Sequence, residues 1–199
     1  MSIAKELTRT DRRIFVTADT HFGHGAAIGI FARPYQSVVQ MDDAMIDAIN
    51  ATVGSDDILV HLGDFLGPHE WTAETRARAE ELRGRIACER IHLVRGNHDP
   101  RGEKHFDRLF DGVDDIVSAR GIAGIDERLV LFHYPIEQWQ GRPNGGFHLH
   151  GHVHGHGASL ARRCDVGIDV AAHGGRPREL TALVAELRES APTGFVRVG

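Results

Sequence analysis

The sequence predicts an α/β fold, and three observations predict it. Short apolar, β-branched runs recur along the chain, as Ile14 to Ala18, Ile58 to Leu62 and Ile91 to Val94. Segments of helical spacing or composition stand between them, and such alternation argues for α/β layers. Each run also ends in a turn rich in Gly, Asp, Asn or His, where open α/β sheets place their ligands. At 199 residues, 41% hydrophobic and 26% charged, the chain reads as one soluble domain over residues 1–199.

Taken in order, Met1 to Arg13 is a polar start, and Ile14 to Ala18 is the first buried strand. It runs into Asp19-Thr20-His21-Phe22-Gly23-His24, where Asp19 and His21, two residues apart in extended chain, can address one centre. Gly25 to Pro34 shows no periodicity and reads as a loop. Ser37 followed by Gln40 matches a capping box, opening a helix with Met41, Met45, Ile49 and Val53 on one stripe. Gly54 to Asp57 ends that helix. Ile58 to Leu62 is the second strand, and Gly63 then turns the backbone to present Asp64. His61, inside the strand, reads as a core or sheet-face histidine.

Trp71 to Arg85 is a charged helix with Thr72 as N-cap, its arginines and glutamates a solvated face. Ile91 to Val94 ends in Gly96-Asn97-His98-Asp99. Lys104 to Phe110 reads as a short helix, and Asp114 to Ala119 and Arg128 to Phe132 read as strands. The second of these ends in His133-Tyr134-Pro135, because proline has no N–H for a ladder. Gln138 to Gly146 is a loop. Phe147 to His150 is a strand leading into Gly151-His152-Val153-His154-Gly155-His156, with His152 and His154 again two apart. Cys164 to Val170 reads as a strand, Pro177 to Arg188 as a helix with Pro177 near its start, and Gly194 to Val198 as a last strand.

Composition narrows the function classes. A net charge of −5 argues against non-specific binding to long nucleic acid, yet a short phosphate substrate held by metal ions stays open. Cys88 and Cys164 lack zinc spacing and read as reduced thiols. No signal-peptide core and no long apolar run are present, so a cytoplasmic protein with no membrane partner is expected. Nothing indicates a self-complementary surface. The 14 histidines against two tyrosines point to transition-metal chemistry.

Five strand ends thus offer Asp19 and His21, Asp64, Asn97 and His98, His133, and His152 and His154. One structural zinc needs four ligands and prefers thiolate. This set suits two divalent cations instead, with one bridging carboxylate. Mixed carboxylate and imidazole donors favour manganese, iron or zinc over magnesium, and manganese is the expected metal.

The ordered motifs Asp-x-His, Gly-Asp, Gly-Asn-His-Asp, a lone His after a strand, and Gly-His-x-His resemble those of the calcineurin-like metallophosphoesterase superfamily. Asp19 to His24, with His133-Tyr134-Pro135, further resembles a compact bacterial and phage branch. The resemblance implies a four-layer sandwich of two mixed β-sheets flanked by helices, with the metal site at strand carboxyl ends. It implies that Asp19, His21 and His154 hold one metal, that Asn97, His133 and His152 hold the second, and that Asp64 bridges both. His98 would protonate the leaving oxygen or bind phosphate, with Asp99 orienting it.

Beyond the motifs, His24 and Arg33 are candidate substrate contacts, with Arg142 a second loop arginine that could reach phosphate. His148, His150 and His156 exceed the motif and read as core or solvated residues. The expected activity is hydrolysis of a small phosphate-ester or nucleotide-like substrate by in-line attack of metal-bound hydroxide. A phosphodiester is favoured over a monoester on the resemblance to the compact branch. A phosphoprotein phosphatase or nucleoside polyphosphate hydrolase on the same site is the alternative. A non-catalytic scaffold of the same fold would have lost ligands, and a histidine-rich metal store would not need them at ordered strand ends.

Overall fold

A computed structural model describes residues 2–67 and 70–190. In chain order the elements are α1 (Ile3–Leu7), β1 (Ile14–Thr17), α2 (Ala27–Ile30), α3 (Val38–Thr52), β2 (Ile58–His61), α4 (Ala73–Gly84), β3 (Arg90–Val94) and α5 (Lys104–Asp107). They continue as β4 (Gly112–Asp114), β5 (Ile116–Ala119), β6 (Leu129–Phe132), β7 (Phe147–His150), β8 (Arg163–Asp165), β9 (Arg178–Glu179) and α6 (Leu180–Ser190). Two mixed sheets result. One has strand order β4-β3-β2-β1-β9 and the other β5-β6-β7-β8. The first is parallel except for β9, and in the second only the β5–β6 pair is antiparallel.

Alternation along the strands sorts side chains into two cores. Ile14, Val16, Ile58, Val60 and Val94 on one face of the first sheet meet Val117, Leu129, Leu131, Phe147 and Leu149 of the second. The opposite face of the first sheet, with Phe15, Leu59, Ile91 and Leu93, is covered by Met41, Met45, Ile46 and Ile49 of α3 and by Ala79 and Leu82 of α4. Removing each large apolar side chain from water contributes roughly 1.5–3 kcal/mol. The sequence stripe on α3 is therefore its core face. This is the expected sandwich of two mixed sheets flanked by helices.

The caps follow the sequence signals. Ser37 accepts the Gln40 N–H, and the Gln40 side chain accepts from Gln36 N at 2.8 Å rather than from the cap itself. Thr72 and Thr75 form a reciprocal capping box.

Some elements differ from the sequence reading. The polar N-terminus folds into α1, because Ile3 and Leu7 share a face and bury against both sheets. The loop read over 25–34 contains the single turn α2. The strand read as Asp114 to Ala119 is two strands in different sheets, the chain passing from one layer to the other at Asp115. The strand read as Cys164 to Val170 ends at Asp165, after which Gly167 makes an isolated bridge to Ala18. Pro177 precedes β9 rather than starting α6, because Arg178 and Glu179 pair with β1 first. The strand read over 194–198 lies outside the described residues. Among the described residues no helix is long and apolar enough to cross a membrane.

Candidate metal centre

The strand pairing fixes where the chemistry lies. β1, β2 and β3 are parallel, so the turns after them, carrying Asp19 and His21, Asp64, and Asn97 and His98, emerge at one edge. β6 and β7 are parallel in the second sheet, so His133 and the segment of His152 and His154 emerge together. Gly151 N donates to the His133 carbonyl at 3.0 Å, and His152 N lies 3.0 Å from Asp19 Oδ2, which joins the two edges.

Donor atoms converge in three overlapping groups, each within 4.8 Å: Asp19, His21 and His154; His21, Asp64 and His98; and Asp64, His133 and His152. Asp64 Oδ2 lies 3.6 Å from His21 Nε2 and 3.5 Å from His133 Nε2. Asn97 Oδ1 lies 3.0 Å from His133 Nε2. The seven residues predicted as ligands from sequence are thus brought to one place.

Seven non-glycine residues among those described have positive φ, and five of them are Asp19 (59°), His21 (50°), Asp64 (56°), His152 (72°) and His154 (47°). Left-handed backbone costs an L-residue free energy and clusters where side chains must be aimed. Close glycines make room. A Cβ at Gly63 would sit 2.5 Å from Gly96 N, and one at Gly151 would sit 2.5 Å from Asp19 Oδ2. A Cβ on Gly96 would overlap Asp64 Oδ1 and N. Gly96→Ala is accordingly expected to destabilise the fold by about 1–3 kcal/mol through overpacking. Denaturant unfolding of the metal-free protein measures it, and an unchanged midpoint would contradict the close packing.

The electrostatics suit cations. Burial pushes the Asp19 carboxyl well above the usual range, a cost that a bound positive charge would offset. Burial lowers the His21 imidazole to about 3, leaving it neutral as a ligand must be. Both His21 nitrogens are buried and lack a hydrogen-bond partner, which fits a metal ligand rather than a core histidine. Burial opposes ionisation of Asp64, but the hydrogen bond and charge of His133 outweigh it and hold the carboxyl at about 2. Burial also works against charge on His133, yet Asp64 raises it above its ordinary value. These donors fit divalent cations.

Other predicted residues have different places. His98 is one-third exposed on the open side, its ring 5.2 Å from that of His21. Asp99 does not orient it. Its carboxylate accepts the N–H groups of Gly96 (2.8 Å), Asp64 (2.8 Å) and Phe65 (2.9 Å), stitching the turn after β3 to the turn after β2. Arg33 does not face substrate either. Its buried guanidinium is engaged by Asp169 and by the Asp19 and Thr20 carbonyls. Arg142 donates to the Glu137 carbonyl within its own loop. His24 is half-buried, with its ring 5.7 Å from His21.

His61 is structural, its Nε2 3.0 Å from Thr20 Oγ1 and burial lowering it to about 3. His148 and His150 are buried in β7, His148 lying between the Val130 and Tyr134 carbonyls. His156 is exposed. Sequence reasoning missed Asp169, whose Oδ2 lies 2.7 Å from His154 Nδ1, and Phe31, stacked on His154 at 3.5 Å. It also missed the Tyr134 ring, edge-on to His152 at 4.7 Å. A lone acid inside the run Gly167-Ile168-Asp169-Val170 was the available signal for Asp169.

Two mixed sheets that bring carboxylate and imidazole donors to a shared edge are the frame of a dinuclear-metal hydrolase acting on phosphate esters. Residues 12–179 match the model of the calcineurin-like phosphoesterases, and the chain belongs to that family. An uncharacterized protein of Methanocaldococcus jannaschii is 29% identical over 143 residues, covering 72% of this chain and 70% of that one. The crystal structure of a protein of unknown function from Aquifex aeolicus superposes with a TM-score of 0.64 at 20% identity, over 88% of this chain and 100% of that one. At that identity the likeness is one of fold.

Proposed function

We propose that this chain is a metal-dependent phosphoesterase that prefers small phosphodiesters. The overlap of the three donor groups through His21 and Asp64 carries the metal-pair reading, and the diester preference rests on the resemblance to the compact branch. In this reading Asp19, His21 and His154 would hold one cation, Asn97, His133 and His152 would hold the other, and Asp64 would serve both. Manganese, iron or zinc is favoured over magnesium because four imidazoles, His21, His133, His152 and His154, accompany the carboxylates, and manganese is the ion to test first. When bound, the pair would stabilise charge on the phosphoryl oxygens and supply a nucleophile at neutral pH.

The protein groups do the rest. Asp64 keeps a negative charge between the imidazoles and, through Oδ1, accepts the His98 N–H at 2.9 Å, fixing the turn that carries that imidazole. His98, on the open side, holds a proton for the departing oxygen, and His24 beside His21 contacts the substrate. The two unpaired cysteines support a cytoplasmic setting.

The test is hydrolysis of bis-p-nitrophenyl phosphate, p-nitrophenyl phosphate and a nucleoside triphosphate by metal-stripped protein, before and after reloading with manganese. Metal-restored turnover that is fastest on the diester is the expected result. Activity confined to the anhydride would remove the diesterase reading, and silence on all three with no metal taken up would remove the phosphoesterase reading.

A further inference from the structure

We infer that Arg33 and Asp169 form a positioning pair that sets His154, and with it the affinity of the cation site of Asp19, His21 and His154. The inference rests on the ligand assignment proposed above. Four contacts carry it. Asp169 Oδ2 lies 2.7 Å from His154 Nδ1. Arg33 Nε and Nη2 grip the two oxygens of the same carboxylate at 2.9 and 2.8 Å, a bidentate fork. The fork continues to the backbone on the other side: Arg33 Nη2 donates to the Asp19 carbonyl at 2.7 Å and Nη1 to the Thr20 carbonyl at 2.9 Å. Phe31 lies flat on the His154 ring, centroids 3.5 Å apart and planes 11° from parallel.

Each contact has a consequence for the imidazole. The carboxylate accepts the Nδ1 proton, so Nε2 carries the free lone pair and is the ligand atom. The stacked Phe31 removes rotation of the ring about its own axis. Arg33 prevents Asp169 from turning away, and its second arm ties the same unit to the left-handed turn that aims Asp19. A single guanidinium thus links two of the three donors of this site, through a contact between residues 136 apart in the chain. The other site is held differently: His133 Nδ1 meets the Leu62 carbonyl at 2.8 Å, a neutral backbone group. Loss of the Asp169 charge therefore weakens one site and spares its neighbour.

Asp169→Asn keeps the side-chain volume and removes the charge. Manganese binding is titrated without substrate, by calorimetry and by electron paramagnetic resonance, on wild type and variant. Wild type is expected to bind two ions with a spin-coupled spectrum. The variant is expected to keep one dissociation constant, raise the other by ~10- to 100-fold, and show the six-line spectrum of an isolated ion at two equivalents. Two unchanged constants, or two constants weakened alike, overturn the positioning role while leaving the site assignment intact. A wild type that binds no ion pair overturns the assignment and this inference together.

Long-range nitrogen–proton correlation on wild-type histidines gives a test that needs no variant. The His154 ring is expected to carry a proton on Nδ1 in the metal-free protein, and a neutral ring protonated on Nε2 alone would overturn the inference.

Discussion

Asp64→Asn is expected to lower manganese-dependent diester turnover by roughly three orders of magnitude, while the metal-free protein keeps its fold. Asp64 is the residue on which the two halves of the centre meet. Its Oδ2 lies within 3.6 Å of both His21 and His133, and its Oδ1 accepts the His98 N–H. Asparagine keeps one acceptor for that N–H, so the turn after β3 retains its anchor. What disappears is the negative charge between the imidazoles, and an amide N–H pair then faces groups that must accept a cation. Lewis-acid stabilisation of a phosphoryl transition state is worth several kcal/mol, and about 4 kcal/mol corresponds to a thousandfold in rate. Circular dichroism checks the fold, and steady-state hydrolysis checks the rate. Retention of more than a tenth of wild-type turnover would show that Asp64 is not the shared ligand.

His98→Gln separates two roles for the exposed histidine. As a proton donor, its loss is expected to slow an ester with an alkoxide leaving group by about 10²–10⁴ and a p-nitrophenyl ester far less, because that leaving group departs without help. As a phosphate contact, its loss would slow both substrates equally and raise KM. Manganese stoichiometry is expected to stay at the wild-type value, since the proposed ligand set does not include His98. Equal loss on the two esters would transfer the role from proton donation to binding.

The site was legible where a strong backbone signal sat beside a strong chemical one. A β-branched run followed by Gly-Asp or Gly-Asn-His-Asp announces both a strand end and its donors, and Asp64, Asn97 and His98 are readable on that basis. What escaped depends on the third dimension. Asp99 has the spacing to orient His98, but three backbone N–H groups reach its carboxylate first, one of its own turn and two from the turn after β2. Arg33 lies in a Gly- and Pro-flanked stretch that reads as an exposed loop, yet Asp169 and two carbonyls draw it inward.

The left-handed backbone of five donors has only a weak residue-type signature, because aspartate and histidine are enriched at positive φ yet mostly adopt negative φ, unlike glycine. The passage between sheets at Asp115 was hidden for a simpler reason. Two short strands with one intervening residue look like one longer strand.

The donors divide four to three between layers: Asp19, His21, Asp64 and Asn97 follow strands of the five-stranded sheet, and His133, His152 and His154 follow strands of the four-stranded sheet. The centre therefore does not exist in either half of the chain during folding and is assembled only when the two layers close. The complete donor set thus acts as a rivet hole through two plates, present only when they are aligned. The same division makes the centre a gauge of shear. Sliding one layer past the other by a single strand residue, about 3.3 Å, is nearly as large as the 3.5 Å between Asp64 and His133, and would dismantle the donor set without breaking a strand.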